Sequence, residues 1–159
     1  MTQSIILQGA LANVGKEFSS EDLLKFLDAR TDNVDYYRFS PTPGHITGAA
    51  FDWVSIISTS ASIITIAGAF WAAYKHFIIP LRKKQKNDAF LFISIKENGN
   101  FTQFSIGDQF EDKEIFVREF IKKTEELKVT LDYDEVQIEK QSIIDSKNWI
   151  KVRSNKWIK

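Results

Sequence analysis

From Trp53 to Tyr74 the chain runs for twenty-two residues without a charge, although 26% of the whole sequence is Asp, Glu, Lys or Arg. Trp53, Ile57, Ile64, Trp71, Tyr74 and Ile78 follow one another at steps of three, four or seven, which is a helical period rather than a strand alternation. The pattern predicts one long helix over 49–80. It is entered near Thr47 or Gly48, with Asp52 at the positive end of its dipole and Lys75, Arg82, Lys83 and Lys84 towards the negative end. Pro80 disfavours helical geometry in the residue before it, so the regular helix is expected to stop near Ile79. At about 1.5 Å per residue the uncharged run reaches roughly 33 Å, against roughly 30 Å of bilayer hydrocarbon.

The flanking segments alternate differently. Ile5 to Leu7 predicts a first strand, ended by Gly9 and Gly15. Ser19 with Asp22, and Phe18 with Leu23, form a capping signature for a helix from Ser20 to about Arg30, with Leu23, Leu24 and Leu27 on its apolar face. Val34, Tyr36, Tyr37 and Phe39 predict a second strand, stopped by Pro41. Beyond the central run, Leu91, Ile93 and Ile95 alternate with Phe90 and Phe92. Asn98-Gly99 then supplies a two-residue hairpin turn, and the chain returns over 101–106. Phe116, Phe120, Ile121, Thr124 and Leu127 predict a helix over 112–128 packed on that hairpin. Val129, Leu131 and Tyr133, then Val136 and Ile138, predict two short strands broken near Asp134. Ile150 and Val152, alternating with Lys151 and Arg153, predict a terminal strand pair. The fold class is α+β: small antiparallel or mixed sheets with packed helices around one long hydrophobic helix. Three parts divide the chain: a β-α-β lobe at 1–48, the helix at 49–80, and hairpin, helix and terminal strands at 87–159.

Whether the central run spans a membrane turns on its side chains. Six hydroxyls (Ser55, Ser58, Thr59, Ser60, Ser62 and Thr65) weaken the transmembrane signal. Ser58, Ser62, Thr65 and Ala69 form a small-residue packing face at the spacing that lets two helices approach closely. A soluble surface helix would carry Lys or Glu on its outer side, and no side of this one does, so something must cover it all round. Trp53 at one end and Trp71 with Tyr74 at the other fit interfacial belts as well as they fit a core. Lys75, Arg82, Lys83, Lys84 and Lys86 flank the carboxyl end, whereas Arg38 is the nearest base before the run. That asymmetry orients a single-pass inner-membrane protein with its carboxyl-terminal part in the cytoplasm. The alternative is a cytoplasmic protein whose helix is a buried core or oligomer element.

Charge and chemistry narrow the function. Lys plus Arg equals Asp plus Glu at 21 each, so there is no overall bias towards nucleic acid. The basic tail, with Trp149 and Trp157 among Lys147, Lys151, Arg153, Lys156 and Lys159, is read as strand rather than as a nucleic-acid or lipid surface. There is no cysteine, hence no thiolate nucleophile or thiolate metal ligand. No basic residue precedes Lys16, so a secretory signal pattern is not expected. His45 and His76 lack ligand-spaced partners, and the acidic groups Asp108, Glu111, Asp112 and Asp132, Asp134, Glu135 suit a helix start and a turn. The connector Pro41 to Gly48 has the glycines and prolines of an anion-cradling loop, without the Lys or spacing of a phosphate-binding motif. Gly44 and Gly48 set the entry to the helix. No catalytic, metal or cofactor site is expected.

Pro43-Gly44-His45-Ile46, then Gly48-Ala49, a long small-residue helix, a basic stretch and a hairpin at Asn98-Gly99 together resemble the effector-associated constant component family of bacterial conflict systems, over roughly Ile5 to Glu126. Ile46 stands where the family form carries Met, and the Lys-rich Arg82 to Lys86 where it is Arg-rich. The resemblance implies a non-catalytic accessory or adaptor component of an anti-phage defence system. Such a protein is encoded beside variable effectors and couples recognition of invasion to a toxic or proteolytic output. Its partners would be an effector or another defence protein and the membrane, with self-association through the small face. The second reading is a soluble α+β binding module that oligomerises through the central helix.

Overall fold

A computed structural model of the chain describes residues 3–14, 20–40, 52–84 and 87–153. Among these, six strands form one antiparallel sheet: β1 (Ser4–Ala12), β2 (Val34–Phe39), β3 (Trp53–Ser58), β4 (Phe90–Glu97), β5 (Asn100–Ile106) and β6 (Trp149–Val152). Their spatial order is β5-β4-β1-β3-β2-β6. β1 therefore pairs with β3 on one side and β4 on the other, so strands from both ends of the chain share one sheet. The fold is mixed α+β.

One side of the sheet carries the large core. Against Ile5, Leu7, Tyr36, Trp53, Ile57, Leu91, Ile93 and Ile95 pack α1 (Ser20–Arg30), α2 (Ile63–Ala73) and α4 (Lys113–Thr130), through Leu23, Leu24, Leu27, Ile66, Ala67, Phe70, Phe116 and Phe120. The predicted α1 and β2 match the observed elements, and β1 runs on through Gly9. The hairpin is as expected: Asn98 (φ 50°) and Gly99 (φ 84°) both take the left-handed conformation that a tight two-residue turn requires. Phe104 of β5 meets Phe116 and Phe120 of α4 at ring separations of 6.2 and 5.7 Å, so α4 does pack on the hairpin. At the hairpin's tip Lys123 Nζ donates to Glu97 at 2.8 Å and the Thr130 hydroxyl also donates to it; these bonds hold the Glu97 carboxyl below its ordinary range.

The predicted helix over 49–80 requires correction. Its first part, Trp53–Ser58, is strand β3, and Asp52 precedes that strand, accepting from the Leu11 amide at 3.4 Å rather than opening a helix. β3 lies between β1 and β2, with Trp53, Ser55 and Ile57 on one face and Val54 and Ile56 on the other, all buried. A strand covered on both faces reads as a continuous apolar run. After the turn at 59–62, α2 begins at Ser62, whose Oγ accepts from the Thr65 amide at 3.3 Å. Neither tryptophan forms an interfacial belt. Trp53 lies over Gly9, and Trp71 packs in the core 5.4 Å from the Tyr74 ring.

The helix does not stop at Ile79. α2 runs into a π turn (Tyr74–Ile78) and then a short α3 (Ile79–Lys83), one continuous helical segment Ile63–Lys83. Proline in a helix lacks a donor and crowds the preceding turn. Widening that turn to a π turn, in which the Ile79 amide reaches back to the Tyr74 carbonyl, lets the helix pass through Pro80. This segment is long and apolar enough to cross a membrane by length and composition, and half of its apolar window is buried inside the fold.

The other side of the sheet is thinly covered. The predicted strands at 129–138 are instead the end of α4 and the start of α5 (Tyr133–Asp145). Asp132 caps α5 by accepting from the Asp134 and Glu135 amides, the role of a helix start rather than of a turn between strands. Ile143 and Val136 pack on Ile6, Tyr37, Val54 and Ile56 in a second, smaller core that includes Trp149. Of the predicted terminal strand pair, β6 forms within the described residues, and its partner is β2, with Lys151 Nζ 3.2 Å from Asp35.

Tyr36, fully buried in the large core, fixes a pH dependence. Thr31 donates its hydroxyl proton to the Leu27 carbonyl at 2.8 Å, so Tyr36 donates to the Thr31 oxygen, 2.9 Å away. Burial pushes the Tyr36 phenol well above its ordinary value, and Tyr37 and Tyr133 shift the same way. A raised native pKa leaves stability fully present below about pH 10, the unfolded tyrosine value, and loses it as pH climbs further, because the unfolded chain releases a proton the native one keeps. Tyr36 alone contributes a slope of about 1.4 kcal/mol per pH unit there. Urea midpoints measured above this pH are expected to fall steeply, and Tyr36→Phe is expected to flatten the fall.

Candidate interaction surface

The four residues predicted to form the helix packing face are separated by the strand–turn–helix break. Ser58 ends β3 with its Oγ 2.8 Å from that of Ser60, and Ser62 is the cap of α2, accepting also from the Thr65 hydroxyl at 3.0 Å. Ala69 is buried in the core, and Thr65 is exposed. Of the set, only Thr65 and Ala69 lie within the helix, one turn apart at the edge of its buried face, the first exposed and the second buried. The basic flank divides in the same way. Lys75, Lys83 and Lys84 are exposed, but Arg82 turns inward, its Nη1 donating to the Ala89 carbonyl at 2.9 Å and to the Gly107 carbonyl. Arg82 thus ties the end of the helix to the residue before β4 and to the turn after β5, a use unrelated to lipid headgroups. Lys86, Gly44, Gly48, the rest of the connector with His45, Phe18 and Ser19 of the capping signature, and Trp157 lie outside the described residues.

A different line emerges on the outer side of α2. Ile64 is 68% exposed, and Gly68 and Ala72 follow it at four-residue steps, with Thr65 alongside and Lys75 and His76 beyond. A side chain built on Gly68 would meet no atom within 4 Å. Glycine in mid-helix costs about 1 kcal/mol relative to alanine, and here no neighbour among the described residues demands it. The backbone at Gly68 is consequently open to close approach from outside. Sequence reasoning missed this line because it traced the small-residue face from Ser58 and left Ile64 in the apolar stripe; four-residue steps from Ile64 find it.

The carboxyl end of the line carries aromatic and cationic groups. Phe26 of α1 stacks on the His76 ring at 5.0 Å, meets Phe77 edge-on at 5.3 Å, and has the Arg30 guanidinium 3.4 Å from its ring centroid. Elsewhere, an open groove of about 730 Å³ runs along α4, lined by Lys113, Glu114, Val117, Arg118, Ile121 and Lys122. A smaller depression of about 440 Å³ collects Asp108, Glu111 and Asp112 around Phe110, but Asp112 is engaged as the cap of α4, accepting from the Ile115 amide at 3.2 Å. Among the described residues no group of three or more His, Asp or Glu is placed to hold a metal ion.

The described residues place the protein in a broad class, an α+β domain in which they form one antiparallel sheet with a helical layer on one face and a single helix on the other. No family model matches the chain, and neither does any curated protein or solved structure.

Proposed function

We propose that this protein is a non-catalytic adaptor, a soluble α+β module that works through protein contacts made along the outer line of α2. The observation that carries this reading is the uncharged line of exposed Ile64 and half-buried Gly68 and Ala72 on a helix otherwise largely committed to the core, with a glycine that no neighbour among the described residues requires. An effector or other component of a conflict system, as the resemblance of the sequence implies, is the partner class it would serve. The contact would be close at Gly68 and bordered by Lys75 and His76, favouring a partner with an apolar ridge and a nearby acid.

The second reading is a membrane-associated accessory protein, favoured by the length and apolarity of Ile63–Lys83. Insertion of that segment would take Ile66, Ala67, Phe70 and Trp71 away from Leu7, Ile93 and Phe120, exposing the sheet's main apolar face. Carbonate-washed fractionation of the expressed protein without detergent separates the two. Recovery in the supernatant is expected. Retention in the membrane pellet would replace the soluble adaptor with the membrane-associated accessory protein.

A further inference from the structure

The chain's charges balance overall, and those of α4 nearly balance too, but the strip of α4 that lines its groove is mainly basic while the outer side of α5, on the opposite face of the sheet, is acidic. Along the groove α4 contributes Val117 and Ile121 between Lys113, Arg118 and Lys122, with Glu114 the one acid among the described lining residues. α5 presents Ile138, 72% exposed, with Asp134, Glu135 and Asp145 on its outer side, while Lys140 turns inward to the Ser4 hydroxyl at 3.4 Å. Lys113, Lys122, Asp134 and Glu135 have no ion-pair partner among the described residues, and Arg118 reaches only Glu119, at 3.9 Å.

We infer that α5 of one copy docks into the α4 groove of the next, so that the protein associates head to tail through complementary helices. The lengths agree: the groove from Lys113 to Lys122 spans roughly 14 Å and the acidic face from Asp134 to Asp145 roughly 17 Å, at the α-helical rise. Ile138 fills the space over Val117 and Ile121, and the flanking carboxylates meet Arg118 and the two lysines. One molecule cannot satisfy itself, because α4 belongs to the large core on one face of the sheet and α5 to the small core on the other. The contact is heterologous, so it propagates rather than closing as a dimer. A single helix pair covers less than the roughly 1,200 Å² of a stable interface, so the association is weak and falls with salt. It uses neither the Ile64–Gly68 line nor the proposed partner of that line.

Sedimentation of the purified chain from micromolar to millimolar concentration tests this. At low ionic strength the average mass is expected to climb without stopping at two copies, and to return to monomer in roughly 0.5 M salt. Ile138→Lys removes the inserting helix, and Arg118→Glu with Lys122→Glu reverses the groove. Each exposed-site variant alone should stay monomeric with unchanged circular dichroism. A one-to-one mixture of the two, holding one good groove and one good α5, should rise twofold in mass and stop there. A wild-type chain that stays monomeric at millimolar concentration, a mixture that fails to pair, or a dimer that persists in both variants would each overturn the proposal.

Discussion

Ile66→Lys abolishes folding, whereas Ile64→Lys, two residues earlier in the same uncharged run, leaves stability within about 0.5 kcal/mol of wild type. Ile66 is 1% exposed in the core beneath α2, and Ile64 is 68% exposed on the opposite side. An ammonium group forced to the Ile66 site has no acidic partner in the surrounding cluster of apolar side chains. Burying an unpaired charge costs several kcal/mol or more, a large share of the roughly 5–15 kcal/mol that holds a domain together. Thermal melts followed by circular dichroism read the difference directly: no cooperative transition for the first variant, a near-native one for the second. The pair also bears on compartment. In a bilayer both positions lie in the first turn of the Ile63–Lys83 segment, where a lysine reaches the interface and the two substitutions cost about the same. Equal damage from both substitutions would therefore mean that α2 is not packed as described.

Much of this fold was legible from local patterns, and the errors share a physical cause. Leu23, Leu24 and Leu27 on α1, Asn98-Gly99 in the hairpin, and Phe116, Phe120 and Leu127 on α4 each lie in an element with one buried side, where periodicity reports burial faithfully. β3 has no exposed side, so Trp53–Ser58 carried no period of its own and was absorbed into the helix that follows. The boundary was nevertheless written in Thr59-Ser60-Ala61-Ser62, a cluster of turn and cap formers whose hydroxyls bond across the turn and into the first turn of α2. At α5 the opposite error occurred. Two helices meet across Leu131 and Asp132, and a helix end followed by a helix start imitates alternation for a few residues. Asp132 with acids in the next two or three positions was the available sign of a helix start.

The same difference explains why the candidate surface was only half visible. Reading α2 as an isolated helix made every small residue a candidate for contact, but once the helix lies on a sheet, its small residues divide. Ala67, Ala69 and Ala73 are small because the sheet and the neighbouring helices crowd them. Gly68 is small without that constraint among the described residues, and it, with the half-buried Ala72 one turn on, bears on what the protein meets outside itself.

Two glycines make that distinction measurable, with effects of opposite sign. Gly9 sits mid-strand in β1, register-paired with Trp53, and the indole lies flat against it. A Cβ at Gly9 would fall 2.2 Å from Trp53 Cε2 and 2.5 Å from its Nε1. Trp53 is 1% exposed and enclosed by the large core, so the ring has no open space to move into. Overpacking a well-filled core costs about 1–3 kcal/mol, and displacing a buried indole places Gly9→Ala at or above the upper end. At Gly68 the same substitution adds a methyl group that touches nothing and restores helix propensity, so Gly68→Ala is expected to stabilise by up to about 1 kcal/mol. Urea unfolding of the two variants checks both signs. Pairing Gly9→Ala with Trp53→Leu then isolates the clash: the double variant should be at least about 1 kcal/mol more stable than the sum of the single effects, since the smaller side chain vacates the volume the new methyl needs. Additive losses would mean that the strain at Gly9 arises from the strand itself and not from the tryptophan lying over it.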